Sequence, residues 1–225
     1  MNSDYKSKFF TNYTHNLRRK SMKTILIIIL GLSSTILCSQ EFTYVEEIKL
    51  FQVELNKEFK NPDKSPLSKR KQKKFKEHDF YPINEAFHVK AKFIRTQNSA
   101  PFKMKTTTER APTYEKYGDA FFEIKNKKYK LSIYQSHSLR KTKKYKNHLF
   151  LPFTDLTNGE ETYGGGRYID LNIPDTESLT IDFNKAYNPY CAYSSTRSCP
   201  IPPRENHLDL KVKAGVKNVN YSKFH

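Results

Sequence analysis

A mainly β protein is predicted, an antiparallel sandwich or partly closed barrel with one N-terminal amphipathic helix. Three observations predict it. About seven short apolar segments follow residue 80, alternating or running apolar over strand lengths between turn-forming residues. Only one stretch, ahead of them all, carries helical periodicity, so no crossover helices are at hand for a parallel sheet. Hydrophobic residues reach only 36%, yet there are 15 Tyr and 16 Phe with no Trp, so a modest core falls to strand-favouring rings. At 225 residues, one folded domain is the default.

The chain divides into residues 1–39, 40–79 and 80–225. Residues 1–21 are polar and end in Arg18, Arg19 and Lys20; Met22 and Lys23 then open an apolar run from Thr24 to Leu32, with small residues after it. A basic flank, an apolar core shorter than a membrane span and a small-residue exit describe a secretory signal peptide. Either Met1 or Met22 serves as the start under that reading. Cleavage is expected near Ser39. A lipid anchor at Cys38 is less favoured, because Leu37 occupies the place where a small residue should precede a lipidated cysteine. The expected location is therefore periplasmic or secreted, with no transmembrane span in the mature chain.

The formal net charge is +17, and residues 1–39 carry six Lys/Arg and one acid, which leaves +12. Solvated lysine accounts for most of such a balance, but it also suits an anionic small molecule or an envelope glycan as partner. Nucleic acid is not expected.

The elements follow in order. Thr43 and Glu46 have capping-box spacing, and Val45, Ile48, Phe51, Leu55 and Phe59 fall on one helical face, which predicts a helix over 44–59. Asn61 to Pro66 is a turn, and Lys69 to Lys76 holds six basic residues, read as a solvated helix face. Phe87–Phe93 alternates as a half-buried strand. Ala120–Ile124 and Tyr129–Tyr134 form a hairpin through Lys125–Lys128. Leu149–Phe153, Tyr168–Ile173, Leu179–Asn184 and Leu208–Ala214 complete the strands.

Chemistry-bearing residues concentrate between Phe150 and Asn206. Four of seven Gly lie at 159–166 and six of eleven Pro at 152–203, so the backbone there is heavily specified. The Thr162-Tyr-Gly-Gly-Gly-Arg167 run lacks the endings of a nucleotide loop. Its glycines let Arg167 approach an anion, and its planar fork suits carboxylate or phosphate. A tight turn feeding the next strand is the competing explanation. The connection Pro174–Ser178 has hairpin composition, and symmetric pairing across it sets Asp170 opposite Asp182. Two carboxylates in that relation share a proton, bind a cation or meet an arginine. Candidate ligand-binding residues are thus Asp155, Thr162, Tyr163 and Arg167, then Asp170, Asp182 and Asn184, then Tyr187, Asn188 and Asn206. Cys191 and Cys199, an even pair in an exported chain, are expected to form a disulfide, with buried free thiols as the second reading. Two cysteines without matching histidines make no zinc site. His148 and His207 are the histidines available to a nucleophilic Cys191, with nothing in the sequence connecting them.

Phe80-Tyr-Pro-Ile, Pro101-Phe-Lys-Met, the Tyr117-Gly118 turn, Pro152-Phe-Thr-Asp-Leu-Thr, Thr162-Tyr-Gly-Gly-Gly-Arg-Tyr, Ile181-Asp-Phe-Asn, Asn188-Pro-Tyr-Cys-Ala-Tyr and Cys199-Pro-Ile-Pro-Pro together resemble one uncharacterised prokaryotic family, the domain of unknown function 1684. The resemblance spans residues 42–217 and implies that the 150–206 block is the family signature. It implies no activity, cofactor or catalytic residue. Three function classes stay open: a binding protein for a small or glycan-type ligand, an envelope hydrolase using paired carboxylates, and a structural or assembly factor of the cell envelope. Binding leads, because neither a catalytic triad nor a metal cluster is legible.

Overall fold

The computed structural model describes residues 43–219. The expectations for the signal segment, Cys38 and the start at Met22 lie outside the described residues. Within them the protein is mainly β, an antiparallel sheet curled into a half-barrel, with one main helix near its start.

That helix, α1 (Tyr44–Lys60), forms where capping predicts it. Thr43 Oγ1 accepts from the Glu46 N–H and the Glu46 carboxylate accepts from the Thr43 N–H, so two otherwise orphaned donors are satisfied. Of its expected apolar face, Ile48 and Phe59 are buried, Phe51 and Leu55 are half-buried, and Val45 is exposed. A short helix, α2 (Lys69–Lys74), carries part of the basic run with no buried residue, as a solvated face does.

Eight strands follow: β1 (His88–Arg95), β2 (Phe102–Lys103), β3 (Thr113–Ile124), β4 (Lys127–Ser136), β5 (His148–Asp155), β6 (Arg167–Asn172), β7 (Ser178–Asp182) and β8 (His207–Leu208). The order is β6-β5-β4-β3-β1-β7, with β2 added to β3 and β8 lying parallel to β5. The β3–β4 hairpin turns through Lys125 and Asn126, both at positive φ, the two-residue turn whose twist matches that of the strands. Of the expected 208–214 strand only Leu208 pairs as one, together with His207 before it. The rest run irregularly, with Val212, Ala214 and Val216 inserted into the core.

Strand parity sorts the two faces. One carries Ala91, Phe93, Ala120, Phe122, Leu131, Ile133, Leu149, Leu151, Phe153, Ile169, Leu179 and Ile181, the main core. The opposite face of β3–β6 carries Tyr114, Tyr134, Phe150 and Tyr168, with Met104 against them.

One expectation fails here. β6 and β7 do not pair: β6 takes β5 as partner and β7 takes β1, at opposite edges of the sheet. The curl brings those edges close enough for residues 173–177 to join them. Asp170 therefore sits across from Phe150 and Asp182 across from His88, so the paired acids expected of a hydrolase do not form.

Below α1 a smaller cluster joins Phe59, Phe75 and Tyr193 around the His78 ring. His78 Nδ1 lies 2.7 Å from Asn56 Oδ1, while Nε2 is buried without a partner. Burial disfavours the charged ring and lowers its pKa from 6.5 to about 4. The unfolded chain thus binds a proton between pH 6.5 and 4 that the folded chain refuses. Stability held above pH 6.5 is lost as the pH falls through that window, by about 3 kcal/mol at its lower end. Urea unfolding at pH 7 and pH 4 should show this loss in the wild type. In His78→Leu the difference should shrink by that amount; an unchanged difference refutes the account.

Candidate functional site

Most of the expected site residues are spent on holding the fold. Asp155 and Arg167 are both fully enclosed and form an ion pair at 2.7 Å. Arg167 also donates to the carbonyls of Val212, Ala214 and Val216, and Asp155 Oδ1 accepts from Thr157 N, Thr157 Oγ1 and Val212 N. Arg167 is therefore not the expected anion ligand, since its guanidinium already serves an internal carboxylate and three carbonyls. Gly166, at φ +87°, makes this possible: a Cβ there would meet Phe153 O at 2.6 Å. Thr162, also buried, closes the same loop through Thr157 Oγ1 and Asn158 Nδ2.

Three further knots take up four more. Asp182 and Asn184 are buried together, where Asp182 accepts from Tyr44 Oη and Asn184 bonds both the N–H and the carbonyl of Asn84. With the Lys185–Glu47 ion pair they tie α1 to the end of β7. Asn206 bridges Ser132 and Pro152, and Asn188 donates to the Lys217 carbonyl.

Asp170 and Tyr187 are different. They line a cleft of about 970 Å³ between α1 and the outer aromatic face of β5–β6. Phe150 and Tyr168 form its floor, their rings 4.7 Å apart and edge-on, and Tyr187 packs edge-on against Tyr168. Asp170 is exposed, yet both its oxygens are engaged, one 2.9 Å from His148 Nε2 and the other accepting from Tyr187 Oη at 3.0 Å. Burial, and then the Asp170 charge, raise the Tyr187 phenol well above its usual range, so it stays protonated and keeps donating. The outer face of β6 thus lines a cleft, with His148 rather than Asp182 as the partner of Asp170.

Sequence reading missed the other walls. Phe51, Leu55 and Glu58 come from α1, with the Glu58 carboxylate accepting from Tyr190 Oη. Arg110 arrives from the far side and donates to Ser198 Oγ and O, while Arg197 lies over the Tyr190 ring. No motif links these positions; only the fold gathers them. The i, i+4, i+7 spacing of Phe51, Leu55 and Glu58 was the one local signal.

Cys199 forms part of the same wall, and Cys191 lies beside it with its N–H donating to Cys199 Sγ at 3.1 Å. Both are free thiols in this structure, so the expected bond is not formed. Tyr163 Oη reaches Cys191 Sγ at 3.6 Å.

An antiparallel half-barrel with an aromatic cleft beneath its N-terminal helix is the class of protein these features define. The chain belongs to the family described as protein of unknown function, DUF1684, whose profile matches residues 73–217. That span holds the whole sheet but leaves out α1. An uncharacterised protein of Haloarcula marismortui, solved by solution NMR, is similar at 27% identity and a TM-score of 0.61, covering 77% of this chain and 94% of its own. Among curated proteins none matches. No helix among the described residues is long and apolar enough to cross a membrane.

Proposed function

We propose that the protein is an exported binding protein for a small anionic, sugar-like ligand held in the cleft under α1. One observation carries the reading: aromatic side chains floor a cleft in which an exposed carboxylate is fixed from both sides by His148 and Tyr187. Sugar rings present apolar C–H faces that pack on such rings, and hydroxyls that donate to a fixed carboxylate. The cleft volume falls within the range of small-ligand sites. Arg110 and Arg197 on its wall, with Lys64, favour a ligand that itself carries an acid group. Export, with the chain beginning near Ser39 or Gln40, would place the cleft among envelope glycans.

Protein recovered from the periplasm of expressing cells, its N-terminus sequenced, should be titrated with galacturonate oligomers and with neutral galactose oligomers. Tyrosine fluorescence serves as readout, since the chain has no Trp. The acidic oligomers are expected to bind more tightly. Asp170→Asn should weaken both about tenfold, the effect of one charge-assisted hydrogen bond. Arg197→Ala should erase the preference for the acid while leaving neutral binding unchanged. Absence of binding by either oligomer at millimolar concentration sinks the proposal.

A further inference from the structure

The loop from Cys191 to Cys199 carries two sulfurs in unlike surroundings. Cys191 is half-buried and sits on a single turn of 3-10 helix, Tyr190–Ala192. Cys199 is buried and clamped: its N–H donates to Thr107 Oγ1 at 3.1 Å and its carbonyl accepts from Thr107 N at 2.9 Å. Next to it, Arg110 holds Ser198 and an antiparallel bridge pairs Pro200 with Thr106. One cysteine is thus half-buried on a short turn, and the other is fixed to a braced segment. The exposed residues Ser195, Thr196 and Arg197 lie between them.

The hydrogen bonding is asymmetric too. Cys191 Sγ accepts from the Tyr163 side-chain hydroxyl at 3.6 Å, a donor that stabilises negative charge on sulfur, whereas Cys199 Sγ accepts from the Cys191 backbone N–H at 3.1 Å. A hydrogen bond from the Cys199 thiol is the largest cause and, against the opposing effect of burial, holds the Cys191 thiol below its ordinary range. Giving its proton to that bond, and burial, raise Cys199 far above an ordinary thiol.

We propose that Cys191 and Cys199 form a thiol–disulfide exchange site for small disulfides, with Cys191 as the attacking sulfur and Cys199 as the resolving one. In the first step Cys191 thiolate attacks one sulfur of the external disulfide. A mixed disulfide forms as the external S–S bond breaks, and the departing sulfur takes a proton from solvent to become a free thiol. Cys199 then loses its proton to solvent and attacks Cys191 Sγ. The Cys191–Cys199 bond forms as the second external thiol leaves. The external disulfide gains two electrons and the protein pair loses two. This differs from a permanent secretory cross-link, whose sulfurs need no donor array around a thiolate.

Glutathione disulfide is a suitable probe for the reduced, desalted full chain, with adducts located by peptide mass spectrometry. Wild type should convert to the internal disulfide and return to two thiols in excess dithiothreitol. Cys199→Ser should accumulate a glutathione adduct on Cys191; Cys199→Ala replaces it if the serine variant does not fold. Cys191→Ser should take the adduct on Cys199 at least ~10-fold more slowly, following the thiolate fraction and access of each sulfur. Alkylation of wild-type Cys191 should reach half its maximal rate at a pH below that of an ordinary thiol. Equal adduct rates on the two cysteines, two thiols surviving the glutathione disulfide, or an isolated pair that dithiothreitol does not open would each overturn the proposal.

Discussion

Arg167→Met is expected to destabilise the protein by about 3–5 kcal/mol in urea unfolding, the cost of leaving a buried charge without its partner. Asp155 would stay enclosed, held by Thr157 and Val212 but with no cation facing Oδ2. The carbonyls of Val212 and Ala214 would lose their strong donor as well, at 2.9 and 2.5 Å. Those carbonyls matter because residues 209–217 form no ladder of their own among the described strands. The guanidinium takes the place of a neighbouring strand, fixing an irregular segment whose Val212 and Ala214 fill the core. Arg167→Lys keeps the charge but offers one ammonium to acceptors spread around a planar fork, so an intermediate loss is expected. Asp155→Asn combined with Arg167→Met should cost less than the sum of the two singles, since both break one interaction. A loss under about 1 kcal/mol for Arg167→Met, the range of an exposed pair, would show that the pair does not hold the fold.

Much of this was legible, and the part that was not has physical causes. Alternation fixed the face of the 87–93 strand, because a one-residue slip would carry its whole apolar set to the other side. It did not fix partners. Leu171 and Ile169 find equally apolar neighbours in Leu149 and Leu151 as in the hairpin the sequence suggests, and Ile181 is satisfied by Val89. A five-residue link reads as a hairpin in an open sheet; in a curled one it spans two edges that approach without pairing. Arg167 shows a signal that was available and unused. It shares parity with Ile169 and Leu171, as Asp155 does with Leu151 and Phe153, so both polar residues were already on the core side. Two opposite charges on one buried face point to a pair, not to a ligand. The cleft had no such signature, since α1, the 102–112 segment and the 187–200 loops meet only through tertiary packing.

Asn206→Ala is expected to cost about 3–5 kcal/mol, from three buried backbone groups losing their partners at once. The reason lies in Pro152. Antiparallel strands β4 and β5 pair at Tyr134 and Phe150, and two residues back along β4 and two on along β5 come Ser132 and Pro152. Proline has no N–H to donate, so an ordinary ladder cannot continue there. The Asn206 amide fills the gap, accepting from Ser132 N at 2.8 Å and donating to Ser132 O at 2.8 Å and to Pro152 O at 2.7 Å. A side chain thus behaves as one residue of a strand inserted between two others. Ser132 and Asn206 are both fully buried, which leaves no room for water to replace the amide. Asn206→Asp separates this account from simple packing, because its shape is the same. A carboxylate still accepts from Ser132 N but turns an oxygen toward two carbonyls, so it should unfold at a urea concentration no higher than Asn206→Ala does. Near-wild-type stability in Asn206→Asp would mean that the amide donors are not what closes β4 against β5.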